Sequence, residues 1–175
     1  MTTRSRFSER LSRAVTRPPF HDEHGRKGWL APFSRAQPHV IQRHALAIPG
    51  WPRFERPLRI AFLSDFHVGS HADDVARLGA IVAEAAALAP DLVLFGGDYV
   101  NMQLFGGGRV PPRVVAGLLA RIEGRIGRFA ILGNHDYTYG EREVAAALRA
   151  HHVTVLDHER QTIGIGGLSL DIVGL

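Results

Sequence analysis

Asp65-Phe66-His67, Gly97-Asp98 and Gly133-Asn134-His135-Asp136 hold the residue types able to do chemistry in this chain. Each motif follows a run that reads as a buried strand: residues 58–63, 92–95 and 129–132. Strand ends presenting Asp, His, Asp, Asn and His in order can converge on one edge of a sheet. A mixture of hard oxygen donors and imidazole suits divalent manganese, iron or zinc. Asp65 and His67, two apart on an extended segment, are expected to point the same way. Gly96 and Gly97 let the backbone approach a charged centre while Asp98 projects into it. Asn134 offers a neutral oxygen ligand, His135 can meet a phosphoryl or leaving-group oxygen, and Asp136 can orient that imidazole and raise its basicity. Gly-Gly-Asp and Asn-His-Asp are also ordinary polar turns, so the reading rests on three such loops following three strands in order.

The elements between the motifs alternate. Asp73 or Asp74 can cap a helix running to about residue 88, with Val75, Leu78, Ile81, Val82, Ala85 and Leu88 on its apolar side. Pro90 ends it. Pro111 or Pro112 opens a second helix reaching about residue 123, since proline fits the first helical turn. A third covers residues 141–150. Residues 40–48 read as an additional first strand closed by Pro49-Gly50, and residues 153–156, 162–165 and 168–173 as short closing strands. Strands alternating with helices predict an α/β sheet. The closing run predicts a hairpin or second sheet in place of another βαβ unit.

The chain has 175 residues, enough for one domain with a sizeable core, and 45% are hydrophobic. It has no cysteine, which removes disulfides, thiolate metal sites and cysteine nucleophiles together. No run is long and apolar enough for a membrane span, and the first residues lack the apolar stretch of a secretory signal, so a cytoplasmic location is the default. The net charge of +4 is unevenly spread: residues 1–59 carry twelve Lys and Arg against four acidic residues, and the remainder nine against thirteen. Residues 1–38 therefore read as a basic arm, disordered or forming a short amphipathic helix from Phe7, Leu11, Ala14 and Val15 among five arginines. Such an arm suits an anionic membrane surface, and a non-catalytic anion- or nucleic-acid-binding protein using it is the alternative class of function. No recognised nucleic-acid motif accompanies it.

Together, Ser64-Asp65-Phe66-His67, Gly97-Asp98 and Gly133-Asn134-His135-Asp136, roughly thirty residues apart with a helix in each interval, resemble the motifs of the calcineurin-like metallophosphoesterases. The surrounding text (SDFHVGSH, GGDYVN, LGNHDY) is most similar to a bacterial branch with membrane-associated phosphoesterases, one group of which cleaves the pyrophosphate of UDP-diacylglucosamine in lipid A synthesis. The resemblance covers residues 39–175 and implies an α/β fold comprising the N-terminal half or more of a four-layer αββα sandwich. It implies two divalent metal ions, manganese foremost, with iron and zinc as alternatives. Asp65 and His67 would bind the first ion, Asp98 would bridge both, Asn134 would bind the second, and His135 with Asp136 would serve substrate contact and protonation. The implied reaction is hydrolysis of a phosphoester or pyrophosphate by metal-activated hydroxide, on a nucleotide-linked lipid in that branch, by an enzyme peripheral to the inner face of the membrane. The family also carries downstream Gly-His and Gly-His-x-His motifs, which this sequence lacks. The expectation is therefore a C-terminally truncated domain, active or inactive as it stands. Of the other histidines, His71 reads as a solvated loop residue and His151-His152 as a pair at a helix exit.

Overall fold

Short apolar runs with no polar alternation form parallel strands, because a parallel sheet is covered on both faces. A computed structural model of the chain describes residues 11, 14–15, 18–20, 28–33, 38–51, 56–101 and 109–175. In it β1 (Ile60–Leu63), β2 (Leu92–Phe95), β3 (Gly127–Ala130) and β4 (Thr154–Val155) make a four-stranded sheet in the order β1-β2-β3-β4, with every pair parallel. Between them run α1 (Asp74–Ala87), α2 (Pro112–Leu119) and α3 (Asn134–Ala150). A hairpin of β5 (Arg160–Ile165) and β6 (Leu168–Val173) closes the chain. The α/β class and the hairpin are as expected.

The helices share one face of the sheet. Leu78, Val82 and Ala85 of α1, Val115, Ala116 and Leu119 of α2, and Val144, Ala145 and Leu148 of α3 enter one buried cluster with Val93 and Phe95. On the opposite face Leu92, Phe129 and Leu156 pack with Ile163, Leu170 and Ile172 of the hairpin. The hairpin leaves the β1 end open, where Ile60 and Phe62 are exposed.

Three sequence expectations change. Residues 40–48 form no strand, and Val40 and Leu46 are more than four-fifths exposed; a β-prone run becomes a strand only when a partner takes its backbone bonds. The third strand lies two residues earlier than expected, because its register is set by pairing Leu92 with Gly127 and Phe95 with Ala130. Residues 154–155 add a fourth parallel strand, so α3 does complete another βαβ unit before the hairpin. The arginines and Phe7 of the arm helix, and the loop glycines 106–108, lie outside the described residues.

The sheet is clamped by charge at the end where its strands begin. Asp91, 2% exposed just before β2, receives both terminal nitrogens of Arg56 at 3.0 and 2.6 Å, the Arg59 N–H at 3.0 Å and Arg125 Nε at 3.0 Å. Burial pushes its carboxyl up, but the Arg56, Arg59 and Arg125 hydrogen bonds outweigh burial and lower it from 3.8 to about 2. A depressed carboxylate stabilises the fold above its ordinary value, and that contribution disappears as pH falls from about 4 towards 2. Urea unfolding of Asp91→Asn should therefore show lower stability at neutral pH and a flatter decline between about pH 4 and 2 than the unaltered chain. An unchanged acid profile would rule Asp91 out as the sensitive group.

Candidate metal centre

The three motifs lie where β1, β2 and β3 end, the edge at which parallel sheets bind ligands. Beyond the strands, the first two loops continue to pair: Asp65 N–H donates to Gly97 O at 3.2 Å, His67 N–H to Asp98 O at 2.9 Å and Val68 N–H to Tyr99 O at 3.1 Å. The third loop meets the second at a contact that only glycines allow. A Cβ on Gly97, whose φ is +91°, would lie 2.5 Å from Gly133 N, and a Cβ on Gly133 would overlap the Asp98 carboxylate.

Asp65, His67 and Asp98 have φ of 60°, 47° and 56°, the left-handed region that L-residues rarely occupy. The extended geometry expected for Asp65 and His67 is thus replaced by two left-handed turns, which nevertheless bring the side chains together. His67 Nε2 stands 3.6 Å from Asp65 Oδ1 and 3.8 Å from Asp98 Oδ2. The His67 and His135 rings meet edge to face, with centroids 4.6 Å apart. Ligand atoms of His67, Asp98 and His135 all lie within 4.8 Å of one another. Donors held about 2.0–2.2 Å from one ion stand about 3–4.4 Å apart, so a divalent cation fits this mixed oxygen and nitrogen set with only a small closing movement.

Asp136 is wholly buried and accepts four backbone N–H groups: Asp98 and Gly133 at 2.8 and 2.9 Å on Oδ2, and Tyr99 and Val100 at 2.9 and 3.3 Å on Oδ1. Burial raises this carboxyl above its ordinary value, and the four donors offset only part of that rise. With two donors on each oxygen, the arrangement has no place for a carboxyl proton. Asp136 therefore stitches the second motif to the third. It does not orient His135 as anticipated, because its oxygens are spent on the backbone.

The imidazole is held by Asn101. Asn101 Nδ2 donates to Ser70 Oγ at 2.7 Å, which turns its Oδ1 towards His135 Nδ1 at 3.0 Å. Nδ1 then carries the proton, and the Nε2 lone pair is left for a ligand or substrate. His135 N–H also donates to Asp98 Oδ1 at 3.0 Å.

Of the expected residues, His67, Asp98 and His135 converge, and Asp65, largely exposed, stands beside His67 outside that group. Asn134 is exposed as the first residue of α3, directly before His135. α3 is broken at Gly140 (φ 142°), so the segment read as a loop is a separate first stretch of helix preceding the expected one. His71 is not free in solvent: its Nδ1 is buried 3.4 Å from Asp74 Oδ1. His151 and His152 do lie at the helix exit, with His152 at φ 58°. Sequence reading missed Asn101, three residues after Asp98, and Asp74, whose signal was a carboxylate four residues before Leu78 on the buried stripe of α1.

The calcineurin-like phosphoesterase profile matches residues 58–168. The chain is 26% identical over 128 residues to an uncharacterized metallophosphoesterase of Campylobacter jejuni, a match covering 71% of this chain and 31% of that protein. It is 34% identical over 88 residues to the UDP-2,3-diacylglucosamine pyrophosphatase LpxG of Chlamydia trachomatis, covering 50% and 25%. It is 26% identical over 121 residues to the phosphodiesterase YaeI of Escherichia coli, covering 67% and 43%. The matches thus span between a quarter and about two fifths of these curated relatives.

Proposed function

The chain belongs to the calcineurin-like phosphoesterases, and from that premise we propose that it hydrolyses a phosphoester or pyrophosphate bond with two divalent metal ions, manganese foremost. The observation that carries this reading is the convergence of His67, Asp98 and His135 at the ends of three parallel strands. Asp65 and His67 would hold the first ion, Asp98 would be shared, and Asn134 would join the second. Such an ion pair, when bound, supplies hydroxide at neutral pH and neutralises phosphoryl oxygens. With Nδ1 engaged by Asn101, His135 Nε2 is the nitrogen that would face the phosphoryl or leaving-group oxygen, and it would give a proton there from the doubly protonated ring. Asp136 acts indirectly, by holding the Asp98 and His135 loops in register.

The finer reading is a nucleotide-linked lipid pyrophosphate, handled by a phosphoesterase domain from residue 39 that a basic arm, residues 1–38, draws to the anionic inner face of a membrane. It is supported by the likeness to LpxG and by the cationic N-terminal segment. No helix among the described residues is long and apolar enough to cross a membrane.

The test is hydrolysis of an aryl phosphodiester and of UDP-2,3-diacylglucosamine by chelator-treated chain, before and after addition of Mn²⁺. Activity should be absent before and return with the metal, and the lipid nucleotide should be the better substrate. No hydrolysis of either by the folded, metal-loaded chain would defeat the reading; equal rates on both would defeat only the lipid assignment.

A further inference from the structure

The loop between β1 and α1 is tied to a single buried carboxylate outside the metal centre. Asp74, the first residue of α1, is 1% exposed and shares the helix's buried side with Leu78, Val82 and Ala85. Its Oδ2 accepts the N–H of Gly69 at 3.1 Å and of His71 at 2.7 Å. Its Oδ1 lies 3.4 Å from both His71 Nδ1 and the Arg77 guanidinium. The same guanidinium donates to the Phe66 carbonyl at 2.5 Å. Residues on both sides of His67 are therefore held by Asp74, directly or through Arg77. The held loop includes His67 at φ 47°, a left-handed conformation that a residue with a Cβ does not favour. A carboxylate is expensive to bury, and an apolar residue at this position would complete the stripe of α1. Its bonds go instead to the loop that carries His67.

We propose that Asp74 is a positioning residue for metal binding: through Gly69, His71 and Arg77 it shapes the β1–α1 loop so that His67 Nε2 faces the carboxylates of Asp65 and Asp98. This rests on the assignment of His67 as a metal ligand made above. The opposite face of the loop is fixed by its pairing with the Asp98 loop, so loss of Asp74 releases one side only and the chain keeps a folded sheet.

The experiment is calorimetric titration of the full chain with Mn²⁺ and no substrate, alongside thermal unfolding, for the unaltered protein, Asp74→Ala, Asp74→Asn, His67→Ala and Asp91→Asn. Asp74→Ala should weaken Mn²⁺ binding by about ten- to a hundredfold, the range for partners that orient metal-bound histidines. Asp74→Asn, which keeps one oxygen for the loop N–H groups, should lose less. Asp91→Asn, at the far end of the sheet, should lower stability and leave Mn²⁺ affinity unchanged. A folded Asp74→Ala chain that binds Mn²⁺ as tightly as the unaltered one overturns the proposal. So does an equal affinity loss in Asp91→Asn, which would show that affinity merely follows stability. Where Asp74→Ala does not fold, Asp74→Asn decides: weakened binding supports the role and unchanged binding overturns it. Failure of the underlying metal assignment looks different: the unaltered chain binds no Mn²⁺, or binds it undiminished in His67→Ala, and the proposal then falls with it.

Discussion

Asp98→Ala should reduce metal-dependent phosphodiester hydrolysis by at least about a thousandfold, roughly 4 kcal/mol of transition-state stabilisation. Asp98 is the carboxylate on which the three motifs meet. One oxygen lies 3.8 Å from His67 Nε2 and the other accepts the His135 N–H at 3.0 Å. Its own N–H is fastened to Asp136, and its carbonyl accepts the N–H of His67. Alanine keeps the two backbone bonds and deletes the oxygens; it also carries the penalty of φ 56° at this position, so a modest drop in stability accompanies the loss of the proposed shared ligand. The loss should therefore fall on Mn²⁺ affinity and kcat, with circular dichroism unchanged. A folded Asp98→Ala chain with near-normal Mn²⁺-dependent rates would remove this residue from the reaction.

Asp136→Ala acts by the opposite route and should cost about 3–5 kcal/mol of stability, lowering the melting temperature by about 10 °C or more. Four N–H groups lose the buried acceptor that now serves them, and three of these belong to the consecutive residues Asp98, Tyr99 and Val100. Asp136→Asn should recover only part of the loss, because one oxygen can serve two of the donors while the amide NH₂ faces the other two. Differential scanning calorimetry distinguishes the possible roles. If Asp136→Ala melts with the unaltered protein yet is inactive, Asp136 belongs to the reaction and not to the framework.

What could be read from sequence divides along physical lines. β2 was legible to the residue because a four-residue apolar run between Pro90 and Gly96 has no alternative register, and α1 because its apolar positions recur at helical spacing. β3 was misplaced by two residues because pairing, not composition, sets a strand's ends. Residues 40–48 were read as a strand on propensity alone. At the centre, the types and order of the motifs pointed to His67, Asp98 and His135, which do stand together. The partner of His135 was not legible, because Asp136 adjoins it in sequence whereas Asn101 adjoins it in space. Asp74 was read as a helix cap; its bonds run backwards into the loop, which no local pattern shows.

The left-handed backbone at Asp65, His67 and Asp98 also limits how the proposed metal site could be redesigned. Asp, Asn and His enter that conformation more readily than other side chains. Exchanging them for cysteine to favour softer ions, or for glutamate to lengthen the reach, adds a backbone penalty of about 1–3 kcal/mol per site to any change in coordination. Retuning of that proposed site is better directed at Asn134, the ligand proposed for the second ion, which lies in helical backbone at the start of α3 and carries no such restriction.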